Sequence, residues 1–475
     1  MTTPTRAGRK APLYPALGAL LLCAAGAGAS EPALRRIAAD AAARTPVAAA
    51  ELADLVRRPR LQDVELSPDG TQLAYLTVEG SGAALHLYDI SAGRSREVLK
   101  DLPRTDISWA RDGSVLFLDS GKELSVFRLA DGSAARVAAF DRKRDQQMIA
   151  VDPVLPHHVL VGDADPAART FSVERVGADG KRETLYTGAA KARDLLVGPD
   201  GKPAFIKTYA ADYSQIIARP RHGKWVEVTR CLPLRRCSLA AATPDGRHLS
   251  LVTTWQDDRA ALVDVDVASG ARRLRQADPQ GVADLGSVVL DPASQLPLFA
   301  AFRLPQVHYA GLTGAARRAA ADIAARFPQS NIAIAPSAGR WLLTETAATL
   351  GQPRYWLYEP ARHSFAAVLE DERAQDKPLG EAQLAAKYPI AYPASDGRTI
   401  RGYLTLPPGR DAAKAPLITV VHGGPWSHFE SGYEWFVQWM ATRGYAVFQP
   451  NFRASTGYGD KFMLAPGTDF GNGRV

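Results

Sequence analysis

DVELSPDGTQLAYLTV, residues 63–78, is an apolar run, a Pro-Asp-Gly turn and a second apolar run. Pro68 fixes φ early in the turn, and Gly70 accepts the left-handed conformation that closes it. The flanks alternate in the strand manner, with Leu73, Tyr75 and Thr77 on one side and Ala74, Leu76 and Val78 on the other. The pattern then returns six times. Equivalent turn positions are Arg111 in ARDG, Pro153 in DPVLPHH, Pro199 in GPDG, Pro244 in TPDG, Pro292 in DPASQLP and Pro336 in APSAGR, at intervals of 42 to 48 residues. A third strand follows each turn, as LHLYDI does at 85–90, and a second turn (SAGR) leads to a fourth strand, SREVL. The last copy keeps this layout in YWLYEP and HSFAAVL.

Four strands in a repeat of about 45 residues predict a propeller blade. One such antiparallel sheet cannot bury both faces, so several must pack around an axis. Seven copies predict a seven-bladed β-propeller over 61–370, because unrelated hairpins would not keep this spacing. Two copies depart from the pattern. The third lacks the turn glycine, and in the sixth GAARRAAADIAARF (314–327) is expected to replace the last hairpin with a helix. Ala316, Ala320, Ile323 and Phe327 would share one face of it. His157 and His158 read as solvated turn residues. DVDVASG at Asp264 begins like a calcium loop, but Ser269 stands where the tight-turn glycine belongs and no Glu closes it. Arg272, Arg273 and Arg275 read as a solvated basic strand edge.

Composition agrees with a large soluble protein. Of 475 residues, 46% are hydrophobic and 23% charged, which excludes disorder and a polytopic membrane protein. The net charge of +7 includes Arg6, Arg9 and Lys10; without residues 1–29, 54 basic residues face 50 acidic ones. That balance gives no reason to expect a nucleic-acid partner. The first residues read as an address: a basic n-region, an apolar heart LGALLLCAA (17–25), and the small residues Ala27-Gly28-Ala29 before Ser30. Cleavage of a signal peptide over 1–29 is expected, with no stable membrane span afterwards and a periplasmic or secreted product. Ala, Gly, Pro12 and Pro15 make the stretch a poor anchor, and Leu22 before Cys23 disfavours a lipidated N-terminus. In an oxidising compartment Cys231 and Cys237 would form a local disulfide or stay as two buried thiols. No second Cys/His pair lies near them, so no metal is expected.

A helical leader fills 30–60, and a charged, Ala-rich linker over 371–387 ends the repeats. From 388 to 475 the pattern changes. KYPIAYPASDGRTIRGYLTLPPG (387–409) reads as a hairpin turned at Ser395-Asp396-Gly397. PLITVVHGGP (416–425) reads as a central strand buried on both faces, ending in a glycine loop. YEWFVQWMATRG (433–444) reads as a helix with Tyr433, Phe436, Val437 and Met440 inward and Gly444 as its C-cap. YAVFQPNF and the loop RASTGYG follow.

HGGP at 422–425, with NFRASTGYG at 451–459, resembles the prolyl oligopeptidase (S9) serine peptidases, in the dipeptidyl-peptidase and acylaminoacyl-peptidase branch. That family joins an N-terminal β-propeller to a C-terminal α/β-hydrolase domain, so the resemblance covers nearly all of the chain after residue 29. It implies acyl transfer through a serine, a histidine base and an orienting aspartate, without a cofactor, on peptide substrates. It implies that the Gly424 backbone N–H faces the developing oxyanion, where the lack of a Cβ permits close approach. His422, Gly423 and Pro425 would be structural parts of that loop, since the family takes its base from a later one. Arg453 and Tyr458 are either substrate-cleft residues or loop anchors. Ala454 departs from the family, which has glycine there.

The nucleophile elbow G-x-S-x-G occurs nowhere in the chain. The expectation is a truncated family member, cut before its catalytic serine and inactive as written. The alternative is a secreted, non-catalytic propeller that binds peptides or a protein partner. The residues give no oligomeric state.

Overall fold

The computed structural model describes residues 31–465, apart from 47, 58, 81, 190, 191, 193, 257 and 370–378. The signal segment and residues 371–378 of the linker expected from the sequence lie outside the described residues.

Seven antiparallel sheets follow one another at 61–102, 106–139, 147–188, 194–231, 237–276, 285–311 and 331–368. Each has four strands in chain order except the sixth, which has three. First strands approach the first strands of neighbouring sheets, while fourth strands lie outside, as the exposed Arg94–Leu102 strand does. Asp63 accepts the Ile107 N–H of the next sheet, and Asp194 accepts Leu239 N–H at 3.2 Å in the same way.

Both faces of each sheet are apolar, and each face has a partner. Leu85 and Leu87 pack on Trp109 and Phe127, Phe117 and Val126 on Val159 and Val161, Val173 on Ile206. Phe205 packs with Leu249, Leu262 with Phe302, and Phe299 with Trp341. The seventh core closes the circle, joining Leu342 and Leu357 of the last sheet to Leu66 and Leu73 of the first. Polar contacts support that seam: Ser337 Oγ donates to the carbonyls of Ser67 (2.6 Å) and Pro68 (2.7 Å). Cys231 and Cys237 are joined by a disulfide that links the fourth sheet to the fifth, with Cα atoms 6.3 Å apart.

The irregular repeats find their own solutions. His157 and Gln295 take positive φ (61° and 55°) where other copies place glycine. His157 Nε2 lies 2.7 Å from Asp112 Oδ2 and 2.6 Å from Ser114 Oγ, both on the second sheet. In the sixth repeat the helix replaces one strand, not a whole hairpin, because His308–Gly311 still pairs as a third strand. Three helices can now be set in order: α1 (Glu31–Ala43), α2 (Leu52–Leu55) and α3 (Gly314–Arg326). Thr313 caps α3 by accepting the Ala316 N–H at 3.1 Å. Its fully buried side chains are Ala316, Ala319 and Ile323, one position away from the expected face at Ala320. Gly311 is required there, since a Cβ would meet the α3 backbone at Ala316 and Arg317. Arg272 is not a solvated edge residue. Its guanidinium donates to Thr229 Oγ1 and the Arg230 carbonyl, both at 2.7 Å, across to the neighbouring sheet.

The leader turns away from the ring. α1 packs through Ala41 on Leu406 and Ala446, and α2 through Leu55 on Leu384. Ala446 belongs to an eighth sheet, ordered Lys387–Pro393, Thr399–Thr405, Ala446–Asn451 and Leu417–Thr419, in which the last two strands are parallel; Leu406 directly follows its second strand and Leu384 precedes its first. Leu384 and Ala385, within the expected linker, are fully buried.

The seam gives a graded expectation. Gly70 and Gly246 both have positive φ, but a Cβ on Gly70 would meet the Ala338 carbonyl across the seam, whereas one on Gly246 meets nothing within 4 Å. Gly246→Val should therefore lose about 1–2 kcal/mol from backbone strain alone, and Gly70→Val clearly more, in urea unfolding. Equal losses would remove the seam from the account.

Candidate active site

Between the two parallel strands the chain passes through α4 (Trp435–Thr442), a β-α-β crossover. Loops 420–434 and 452–460 therefore leave the carboxyl ends of adjacent parallel strands, where α/β sheets present their ligand crevice. Two expectations need correction here. The strand at 417–421 is not a central one: only Leu417–Thr419 pairs, its single strand neighbour among the described residues is Ala446–Asn451, and Leu417 and Val421 are 61% and 65% exposed. An apolar run does not reveal whether a strand has one neighbour or two. In α4 the buried residues are Val437, Gln438, Ala441 and Thr442, while Trp435 and Trp439 face outward. Gln438 explains the rotation. Its Oε1 accepts the Ala385 N–H (2.7 Å), and its Nε2 donates to the carbonyls of Ala348 and Ala385 (both 2.9 Å). Gly444 follows the helix at φ +101°, as expected of its terminator.

The two loops are clasped together. Asn451, fully buried, accepts the Phe429 N–H at 2.7 Å and donates to the Phe429 carbonyl (3.1 Å) and Tyr458 Oη (2.8 Å). His422 stacks on Phe452 with ring centres 4.3 Å apart. Its Nδ1 lies 2.8 Å from the Gly423 carbonyl, which can only accept, so Nδ1 carries the proton. Nε2 is then an acceptor, and Ser455 Oγ donates to it at 2.8 Å. Burial first, and the neighbouring His428, hold the His422 imidazole below its ordinary pKa and so neutral. This is a structural clasp, because Ser455 is fully buried and out of reach of a substrate carbonyl.

Gly424 lies exposed in the loop so held. Its φ is +136°, and a Cβ would come within 2.7 Å of Trp426 N, so only glycine fits. Pro425 follows through a cis bond, and its carbonyl accepts the Ser427 N–H at 2.8 Å. Among the described residues, no hydrogen bond uses the Gly424 N–H.

Arg453 and Tyr458 sit in anchoring contacts. Arg453 Nη2 pairs with Asp396 Oδ1 at 2.6 Å, fixing the 394–397 turn. Tyr458 is 5% exposed and packs with Leu262, Leu285 and Phe302 of the ring. Burial pushes its phenol up to about 12. Around it the glycines of TGYG are demanded by contact as well as by positive φ: a Cβ on Gly457 would strike Leu304, and one on Gly459 would strike Asp258. Asp284 ties this loop down, donating from N to the Gly457 carbonyl (2.8 Å) and accepting the Gly459 N–H (3.1 Å). Ala454 takes φ +78°, fully buried, where a glycine would be unstrained.

The sequence did not single out Asn451, His428 or Glu430. His428 Nδ1 lies 2.8 Å from Thr456 Oγ1 and its Nε2 3.3 Å from Glu430 Oε1. Glu430 also receives a bidentate bond from Arg303 of the sixth sheet (2.8 and 3.1 Å). The hydrogen bond from His428, then Arg303, bring its carboxyl down to about 2.

No protein-family model matches the chain. It is 28% identical to dipeptidyl aminopeptidase BIII of Pseudoxanthomonas mexicana over 97% of this chain and 68% of that protein. It is 22% identical to dipeptidyl peptidase family member 6 of Caenorhabditis elegans over 88% of this chain and 62% of that one. The chain thus spans about two thirds of the length of these relatives. The structure of Pyrococcus horikoshii acylaminoacyl peptidase superposes with a TM-score of 0.59 at 14% identity, covering 87% of this chain and 68% of that one, which shows a shared fold. The relatives of the chain are dipeptidyl aminopeptidases and acylamino-acid-releasing enzymes, and its structural neighbours are prolyl oligopeptidase family members.

Glu430 links this site to pH. A carboxyl moved from its ordinary 4.5 to about 2 on folding contributes stability that is present above about pH 4.5 and is lost as pH falls toward 2. The stability difference between the parent and Glu430→Gln should therefore shrink over that interval in urea titrations. A difference independent of pH would show that the pair with Arg303 contributes nothing.

Proposed function

We propose that the chain carries part of a serine peptidase that hydrolyses peptide bonds by acyl transfer, with substrates of the dipeptidyl- or acylaminoacyl-peptidase kind. The observation that carries this reading is the Gly424 N–H, held on a glycine-only backbone at the carboxyl end of a parallel strand and, among the described residues, hydrogen-bonded to no acceptor. Such a donor stabilises charge developing on a carbonyl oxygen and costs no reorganisation during the reaction. The seven sheets at 61–370 are read as seven blades of a propeller, and 388–475 as the beginning of an α/β-hydrolase unit. The seven shared cores and the parallel crossover support those assignments.

Acyl transfer also needs a nucleophile. None of the 475 residues forms a G-x-S-x-G elbow, and the Ser455–His422 pair is sealed. Residues 30–475 alone should therefore not react with a fluorophosphonate that labels activated serines. Stoichiometric, heat-sensitive labelling would show that a serine within them has been recruited.

We also propose export, from the basic n-region and Ala27-Gly28-Ala29. Among the described residues no helix is long and apolar enough to cross a membrane. Protein recovered from the producing cell should begin near Ser30 on N-terminal sequencing; a cytosolic chain beginning at Met1 would contradict this.

A further inference from the structure

The eighth sheet sits on one face of the ring, the face formed by the loops that enter each sheet and the turns between second and third strands. Arg303 and Pro305 meet it there, as do Asp258 and Asp284. On the same face the fourth sheet presents two adjoining segments, the turn 210–214 and the disulfide-closed loop 231–237. They carry three large apolar side chains into solvent: Tyr213, Leu232 and Leu234 are 74%, 60% and 62% exposed.

These side chains are held on a rigid support. Gln215, buried beneath, donates to the Arg235 carbonyl at 2.7 Å and so ties one segment to the other. The Cys231–Cys237 disulfide closes the loop. Arg230 donates to Ser214 Oγ at 2.8 Å, and Asp212 caps its own turn through the Ser214 N–H (3.0 Å) and hydroxyl (2.6 Å). Tyr213 and Leu234 both take positive φ, 62° and 61°. Bulky residues are strained there, and such strain persists where surrounding structure enforces it, most often at binding surfaces.

The segments also continue the interface between the ring and the eighth sheet. Arg235 pairs with Asp460 at 2.8 Å, at the end of the loop whose Ser455 holds His422. Arg236 is spent on the Gly286 carbonyl at 2.7 Å. The loop's cations are turned to protein partners, and the large side chains that point outward are apolar, beside the exposed Asp212, whose carboxylate is held by Ser214. An acidic occupant meets the exposed Asp212 and no unengaged cation on these tips, whereas an apolar side chain finds a preformed contact whose ordering cost is already met.

We infer that Tyr213, Leu232 and Leu234 form an apolar lip that holds a hydrophobic side chain of the peptide substrate. The inference rests on the peptidase reading above and adds a residue preference to it.

Two dansyl-labelled pentapeptides, Ala-Ala-Phe-Ala-Ala and Ala-Ala-Asp-Ala-Ala, test it by fluorescence anisotropy on the full chain. Tyr213→Asn and Leu234→Asn delete the apolar groups, and asparagine accepts positive φ more readily, so folding is not at stake. The parent should bind the Phe peptide more tightly than the Asp peptide. The double variant should bind the Phe peptide at least tenfold more weakly, leave the Asp peptide unchanged, and show no fall in Tm. Unchanged Phe-peptide binding in the variant, or no preference in the parent, would overturn the lip and leave peptide binding standing. A fall in Tm would show that the side chains support the loop instead, and would also overturn it. If the parent binds neither peptide, the peptidase reading falls and the lip with it.

Discussion

A four-stranded sheet with apolar side chains on both faces has to find two neighbours. In this protein seven such sheets each have two, because the last packs on the first through Leu342, Leu357, Leu66 and Leu73. Were that seam open, two apolar faces would meet water at once. At about 25 cal/mol per Å² of apolar surface, exposure on that scale is a large share of the 5–15 kcal/mol that holds a typical fold together. Closure also explains the polar detail at the seam. Ser337 donates to two carbonyls of the first Pro-Asp-Gly turn, and Gly70 leaves room for the Ala338 carbonyl.

The site depends on the ring in turn. The loop 452–460 has two glycines because it lies directly on Leu304 and Asp258, and its tyrosine completes the core between the fifth and sixth sheets. Once seated, it fixes the glycine loop through Ser455, Thr456 and Asn451. Gly424 is thus placed by side chains that are themselves buried or half-buried. The leader contributes from the other side: α1 and α2 cover the eighth sheet and the start of α4, so the two ends of the described chain are packed as one unit.

Local chemistry was the readable part. Pro68-Asp69-Gly70 and its copies announce a turn by residue type, and their spacing announces repetition; the α3 segment shows its period in Ala316, Ala320, Ile323 and Phe327. Pairings across hundreds of residues were not readable. Leu55 against Leu384, or Ser337 against Ser67, leave no trace in either segment taken alone. α4 misled because Tyr433, Phe436 and Met440 were expected to share the inward face with Val437, whereas the helix buries Gln438, Ala441 and Thr442 beside it. Gln438, the side chain that sets its rotation, is polar and buried through three hydrogen bonds. At the site, Gly424 of HGGP and the glycines of TGYG were legible because close approach demands that residue, whereas His428 and Glu430 look like any polar loop pair until Arg303 stands beside them. Cys231 and Cys237 were open to either state because six residues of separation does not decide a Cα distance.

Closure of the ring is most directly tested by native-state hydrogen exchange, followed by mass spectrometry across a range of urea concentrations. Peptides covering the second strands of the first and seventh sheets, Gln72–Glu79 and Trp341–Thr346, should exchange with the same free energy and the same urea dependence as those of the third and fourth sheets, because a closed ring opens as one unit. Markedly lower protection confined to the first and seventh sheets would mean that the seam is open in solution, and would contradict the account.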